Sequence, residues 1–333
     1  MNSHSPAIPD TMRAALVEQS GDANAIISGR TDTPELKAGE VLIKVAAAGV
    51  NRPDVVQRQG HYPPPPGASP ILGLEVAGEV VAVAEDVTDL HLGDNVCALL
   101  SGGGYAEYAT ADAGLCLPIP STLSAIEAAS LPEVAFTVWF NLVMQGGMAS
   151  GQTVLIQGGS SGIGSFAIQL AKAMGCKVIT TAGNAAKVSA CSSWGADIAI
   201  DYRQQDFVEL TRQAGGCDLV LDMVGGDYIN KHIKCCKPGG RIINIAFLMG
   251  ANVEVNLMPL MLKQLTLTGS TLRSQPLTLK RKIAAEVKQT VWPLIEQGAI
   301  RPAVDRSFTL DEASAAHALM ESSQHIGKIV LTL

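Results

Sequence analysis

Basic charge is scarce in this 333-residue chain: 24 Lys and Arg stand against 31 Asp and Glu, a net charge of −7 with His neutral. A chain without cationic excess has little to set against a phosphate backbone, which argues against nucleic acid as a partner. Aromatic residues are only 4%, so the cores must be filled by Ala, Val, Ile and Leu. Charged residues make up 17% against 47% hydrophobic, a balance that excludes a disordered chain. No apolar run reaches the roughly 18 residues of a membrane span, because Lys44, Glu79 and Arg241 interrupt the longest candidates. A soluble protein is expected.

The start, MNSHSPAIPDT, lacks a basic-then-apolar leader and reads as a loose tail before Met12. Cys97, Cys116, Cys176, Cys191, Cys217, Cys235 and Cys236 are odd in number and show no CxxC spacing. That pattern supports neither a disulfide framework nor a zinc knuckle, and points to reduced thiols in a cytoplasm.

Glycine, by contrast, is plentiful at 33 residues, marking places where backbone turns tightly or approaches a ligand. The length is a soft prior for two domains. From Met12 to about Leu131 short strands alternate with Gly and Pro clusters, as in EVLIKVAAAGV and GLEVAGEVVAVA, which predicts a small barrel-like β domain. The Pro run at 61–69 reads as a rigid surface loop rather than a partner ligand. From about Ala135 to Arg273 the texture becomes strand–helix alternation, the signature of βαβ units around a parallel sheet. One long helix, roughly Lys280–Gln297, then leads to VDRSFTL and GKIVLTL, strand-like segments that resemble the first domain. The expected fold class is therefore α/β, with residues 1–134 and 275–333 forming a discontinuous catalytic domain around an inserted doubly wound domain at 135–274.

The segment Gln157–Gly164 reads QGGSSGIG, directly after the strand TVLIQ and before the amphipathic helix FAIQLAKAMG. Gly159, Ser160, Ser161, Gly162 and Ile163 form a turn whose free N–H groups, with the helix dipole, suit a diphosphate. Ser161 stands where the GxGxxG pattern has its second glycine, and its hydroxyl can still donate to phosphate. A site for unphosphorylated NAD needs Asp or Glu at the end of the second strand, some 20 residues on. Here that end reads Thr181-Ala182-Gly183-Asn184, with Lys187 following and Tyr202 ending the third strand. Losing an anion and gaining an ammonium suits a 2′-phosphate, so NADPH is expected. A solvated surface lysine remains the alternative for Lys187.

AGVNRPDVVQRQGHYPPPPGAS (48–69), ILGLEVAGEV (71–80), GGSSGIG, TAGNAAK (181–187), DMVGG (222–226), TLRS (271–274) and HIGKIVL (325–331) together resemble the zinc-free medium-chain dehydrogenase/reductases. Within them the chain is most similar to the quinone oxidoreductases, in particular the stress-inducible NADPH-dependent subgroup. The resemblance covers nearly everything after Met12. It implies a GroES-like β-barrel beside a Rossmann domain, NADPH as cofactor, a quinone-like small molecule as substrate and a homodimer paired through the 260–272 segment. It also implies that Asn51 and Tyr62 line the substrate side, with Tyr62 orienting the acceptor or relaying a proton. Thr137 and Phe247-Leu248-Met249 are implied along the nicotinamide, with Gly183, Lys187 and Tyr202 at the 2′-phosphate and Leu272 and Arg273 near the domain junction. The second tyrosine common in the group is replaced by Val56, and Tyr62 also reads as a loop residue packed on the Pro run.

Zinc-dependent relatives carry Cys where this chain has Asn51 and His where it has Leu74, so no metal is expected. Without a Lewis acid, oxidation of ordinary alcohols is disfavoured. A quinone needs less help, because its oxyanion is phenolic, with a pKa of roughly 10. Holding two flat rings at near-attack distance then does most of the work. Two alternatives stay open: reduction of an enoyl or 2-alkenal C=C bond, and a non-enzymatic NADPH-binding role of the crystallin kind. A short-chain dehydrogenase is excluded, since the turn lies mid-chain and Lys231 follows Tyr228 by three residues, not four.

Overall fold

The computed structural model of the protein describes residues 8–333. The first seven residues of the expected tail lie outside the described residues. The chain opens with β1 (Thr11–Val17), β2 (Ile26–Asp32), β3 (Glu40–Val50), α1 (Arg52–Arg58), β4 (Glu75–Val83), β5 (Asn95–Leu99), β6 (Tyr108–Asp112) and β7 (Cys116–Pro118). Short helices α2 (Ala125–Ala128) and α3 (Pro132–Val138) follow, the latter continuing into a π-helical turn at Trp139–Gln145. Then come β8 (Thr153–Ile156), α4 (Gly162–Ala173), β9 (Lys177–Ala182), α5 (Ala185–Ser193), β10 (Ile198–Asp201), α6 (Phe207–Gln213), β11 (Cys217–Asp222), α7 (Tyr228–Cys235), β12 (Cys236–Asn244), α8 (Leu257–Leu262) and β13 (Thr266–Gly269). The chain closes with α9 (Leu277–Glu296), β14 (Val304–Thr309), α10 (Ala313–Ser322) and β15 (Lys328–Thr332).

Two compact units divide the chain. One runs to Val134 and resumes at Pro276–Trp292 and Pro302–Leu333; the other takes Ala135–Gln275 and Pro293–Arg301. In the first, strands are ordered β14-β15-β3-β4-β5-β7, with β6 also on β3. All neighbours are antiparallel except β14 and β15. The eleven-residue β3 pairs with β15, β4 and β6, and register shifts at Leu42/Ile43 and Val45/Ala47 give it the bulges that let a sheet curl. Val41, Ile43, Val76, Val80, Ile329 and Leu331 pack its core beneath fully buried Tyr105. Because β15 pairs Ile329 with Val50, the last strand belongs to the first sheet, as its sequence texture suggested.

The second unit is a six-stranded parallel sheet in the order β10-β9-β8-β11-β12-β13. Its central strand β8 reads TVLI with every residue buried, as expected where both faces are covered. The strand order reverses between β8 and β11, and crevices at such points are where open α/β sheets bind ligands. The mixed α/β architecture is the expected one, with differences in detail. The strand expected at 265–272 pairs only at Thr266–Gly269. The 293–301 segment groups with the second unit, because the Arg301 amide donates to Gln169 Oε1 (2.8 Å) and Gln169 Nε2 donates to the Arg301 carbonyl (3.0 Å). All seven cysteines are buried and free of disulfides. No helix among the described residues is long and apolar enough to cross a membrane.

Candidate active site

The glycine turn forms where a strand must become a helix within a few residues. Gly158 holds φ +68°, a left-handed conformation that suits glycine, and its amide leans toward Thr181 Oγ1 (3.4 Å). Gly159 donates to the Thr181 carbonyl at 2.9 Å, tying the turn to the end of β9. A Cβ on Gly164 would lie 2.6 Å from the Gly159 backbone, so only glycine lets α4 start this close to the strand it follows. Ser161 is the N-cap of α4: its hydroxyl donates to the Gly158 carbonyl (2.8 Å) and accepts from the Gly164 amide (3.0 Å). This hydroxyl is thus bonded within the turn on both sides. The first helical amides, Gly162 and Ile163, are those without an intrahelical acceptor. They fit an anion drawn by the dipole.

At the end of β9 no carboxylate projects. Asn184 caps α5 by accepting from the Lys187 amide at 2.9 Å, which places Lys187 in that helix's first turn, half-buried. Tyr202 packs over the same place, for a Cβ on Gly183 would lie 3.0 Å from its hydroxyl. Gly183 at the end of β9 thus lies against Tyr202, and Lys187 follows in the first turn of α5.

Behind the turn lies a buried polar network that the sequence reading missed. Thr181 Oγ1 donates to Gln157 Oε1 (2.5 Å), and the Gln157 amide nitrogen sits 3.1 Å from His232 Nε2. With the carbonyl end of Gln157 already accepting, its amide must donate, so His232 carries its proton on Nδ1. That N–H points toward Asp222 Oδ2 at 3.6 Å, too long for a hydrogen bond. Asp222 accepts instead from the amides of Val224 (2.7 Å) and Gly225 and from Asn244 (2.6 Å). Burial pushes His232 down to about 3 and raises Asp222 despite those donors. Thr181, Gln157 and His232 link the ends of β8 and β9 to α7, while Asp222 and Asn244 link the ends of β11 and β12. The network's one sequence signal was DMVGG, whose Asp222 opens the motif.

The Phe247-Leu248-Met249 loop is exposed at its side chains and held by its backbone, with Met249 donating to the Val224 carbonyl (2.8 Å). Thr137 is buried, and its carbonyl accepts from Asn141 (2.8 Å). Leu272 and Arg273 are buried in the second unit.

In the first unit Asn51 caps α1, and the Asp54 side chain closes back on the Asn51 amide at 2.8 Å. The Asn51 side chain is occupied at both ends: Nδ2 donates to Glu75 Oε1 (2.8 Å) and Oδ1 accepts from Lys328 Nζ (2.6 Å). Lys328 also donates to Glu75 Oε1 (2.5 Å), and the Glu133 amide donates to Glu75 Oε2 (2.9 Å). Asn51 is thus fixed within a buried cluster, with a further contact from Nδ2 to the Gly49 carbonyl at 3.4 Å. Gly49 makes the cluster possible, since a Cβ there would lie 2.6 Å from Glu75 Cδ. Lys328 and Glu133 were not singled out in sequence; HIGKIVL contains Lys328, and no motif contains Glu133.

A second chain of groups runs from Asp54. Arg58 can only donate, so His317 Nδ1 accepts from it (3.3 Å) and Nε2 carries the proton toward Tyr105 Oη (3.1 Å). Tyr105 donates on to Asp54 (3.2 Å), which also accepts from the Gly73 amide (3.1 Å). Burial raises Asp54 to about 6 and lowers His317 to about 3, the latter helped by Arg58 and Arg52. Arg58 ends the chain at half-exposed Glu321 (2.9 Å). Tyr62 is half-buried on the loop after α1, and His61 is exposed beside it.

Glu75 has both oxygens taken by Lys328, Asn51 and a backbone amide, Leu74 is buried and apolar, and no group of three metal-binding side chains exists among the described residues.

Two family models match the chain: the alcohol dehydrogenase GroES-like domain at residues 37–121 and the zinc-binding dehydrogenase at 162–294. Rat quinone oxidoreductase is 28% identical over 328 residues, 97% of this chain and 98% of that protein. A structure of a mycobacterial protein complexed with NADPH superposes with TM-score 0.87 at 29% identity, covering 97% of this chain and all of that one. A phenolphthiocerol/phthiocerol polyketide synthase subunit of Mycobacterium tuberculosis is 31% identical over 338 residues, which take in 95% of this chain but only 15% of that much longer protein. On these matches the chain belongs to the medium-chain dehydrogenase/reductase family, of quinone oxidoreductase type.

Proposed function

We propose that this oxidoreductase takes NADPH and delivers hydride, without zinc, to a quinone or a similar electrophilic carbonyl acceptor. The observation that carries the reading is the closed Lys328–Glu75–Asn51 cluster. Donors committed to one another in this way support an acceptor that is electron-poor by its own chemistry. Bound NADPH supplies the hydride. The protein's part is to hold the diphosphate at Gly159–Ile163, the 2′-phosphate at Lys187 and Tyr202, and the nicotinamide along Thr137 and the 247–249 loop. Leu272 and Arg273 support that half from within the second unit. Tyr62 is the group that orients the acceptor.

The match to a segment of polyketide synthase subunits favours a second reading, reduction of an activated C=C bond. The test is an acceptor screen: NADPH oxidation with benzo- or naphthoquinone is expected to outrun that with 2-alkenals. Faster alkenal turnover selects the C=C reading, and tight NADPH binding without turnover of any acceptor selects a non-enzymatic role.

We also propose a cytoplasmic homodimer. Edge strand β13 exposes Leu267, and α8 just before it exposes Leu257, Met258, Met261 and Leu262, an edge and apolar patch that ask for cover. Sedimentation velocity is expected to give a dimer that Leu262→Glu turns into a monomer; a monomeric wild type defeats this assignment.

A further inference from the structure

His232 is fully buried on α7, its ring against those of Phe207 and Tyr228, whose centroids lie 6.2 and 5.9 Å away. Its two nitrogens meet opposite chemistries. Nε2 receives the Gln157 amide at 3.1 Å, while Nδ1 faces Asp222 Oδ2 at 3.6 Å. An N–H on one side and oxygen lone pairs on the other both call for the neutral ring with its proton on Nδ1. Burial first, and the charge of Lys231 second, keep that ring neutral. From Nε2 a chain of hydrogen bonds with a fixed direction leads to the glycine turn. Gln157 donates to the ring, Thr181 donates to Gln157 Oε1 at 2.5 Å, and the Gly158 amide leans on Thr181 Oγ1 at 3.4 Å. Thr181 has a single hydroxyl proton, so where it points decides whether Gly158 meets a lone pair or another proton. The Thr181 carbonyl also takes the Gly159 amide (2.9 Å), and the Leu221 carbonyl takes that of Gln157 (3.0 Å). The first half of the turn rests on these bonds, all within the second unit.

Resting on the reading that this turn holds the coenzyme diphosphate, we propose that His232 is a positioning residue for the coenzyme. By accepting from Gln157 it fixes the direction of the chain that ends at the Gly158 amide, and with it the aim of the free amides at the start of α4. A proton on Nε2 would force the Gln157 side-chain amide to turn over, and an apolar side chain at 232 would free it to do so. The Gln157 nitrogen would then face Thr181 Oγ1, leaving the hydroxyl proton to swing toward the Gly158 amide. Two donors would meet there, and the turn would have to draw away from β9 to part them. The Gly162 and Ile163 amides would move with it. Because NADPH and NADH share the diphosphate, both coenzymes feel the change alike.

The test is a fluorescence titration of coenzyme Kd in wild type and three variants. His232→Phe keeps a ring without an acceptor, His232→Gln offers Oε1 in place of Nε2, and Thr181→Val removes the hydroxyl further along the chain. His232→Phe and Thr181→Val are each expected to raise the Kd of NADPH and of NADH by the same factor, about tenfold, with kcat at saturating coenzyme within about twofold. His232→Gln is expected to bring both Kd values back to within about threefold of wild type. Joining His232→Phe to Thr181→Val is expected to cost no more than either alone, since each breaks the same chain. Independently of any variant, nitrogen NMR of the free protein is expected to show His232 neutral at pH 7 with its proton on Nδ1. A proton on Nε2 overturns the proposal, as does a double variant about a hundredfold weaker than wild type. Wild-type affinity in folded His232→Phe, whatever its melting temperature, also overturns it and leaves coenzyme binding at the turn standing. A wild type that binds neither coenzyme overturns the diphosphate reading and this proposal with it.

Discussion

Lys328 Nζ stands 2.5 Å from Glu75 Oε1, joining two residues 253 positions apart whose side chains are 5% and 0% exposed. The ammonium also reaches Asn51 Oδ1 and the carboxylate also takes the Glu133 amide, so neither charge is buried alone. Such a pair contributes little net stability over apolar neighbours, but it is costly to break from one side.

Lys328→Met should therefore lower the stability of the first unit by about 3–5 kcal/mol, because it strands the Glu75 carboxylate away from water. Adding Glu75→Gln should restore much of the loss. Urea unfolding of the single and double variants checks both, and an undisturbed single variant would show the pair to be idle.

In the first turn of α5, Lys187→Ala should raise the KM for NADPH about tenfold and leave that for NADH nearly unchanged. The comparison isolates the 2′-phosphate, since the two coenzymes differ there alone. Equal changes for both would mean that the lysine serves only the helix.

Gly164→Ala puts a Cβ 2.6 Å from the Gly159 backbone, where no flexible side chain can yield. The helix must move off the turn, at a cost of about 1–3 kcal/mol. NADPH affinity measured by fluorescence titration should fall along with thermal stability. Unchanged affinity would show that the turn tolerates a wider approach.

Acid should weaken the second unit through His232. Its folded value is lowered to about 3 from an ordinary value near 6.5, so its contribution is complete above pH 6.5 and shrinks as pH falls toward 3. Over that window the unfolded chain binds a proton that the folded one refuses, a loss of up to about 1.4 kcal/mol per pH unit. Asp54, raised to about 6, acts in the opposite sense, gaining stability as pH falls from above 6 toward 4, which is why the comparison must be with a variant. Urea midpoints across pH 4–7 should decline less steeply in His232→Gln than in wild type. Parallel declines would assign the acid sensitivity elsewhere.

The nucleotide half was open to reading along the chain because its signals are local. QGGSSGIG sits between a short apolar strand and a helix, and the Thr181–Lys187 segment announces its chemistry within seven residues. The substrate half was read less completely. Asn51 was read as a lining residue, and its ties to Glu75 and Lys328 were not foreseen. Ser161 was read as a phosphate donor, and its capping of α4 was not foreseen.

Spacing and local pattern determined the two sheets, the glycine turn and the anion-poor end of β9, because strand and helix periodicity and tight turns depend on near neighbours. Only the tertiary structure decided that β15 returns to β3 and so carries Lys328 to Glu75, and that the start of α3 delivers Glu133 to the same carboxylate. Burial and long-range pairing set the protonation of a carboxyl, and neither is written in the residues beside it.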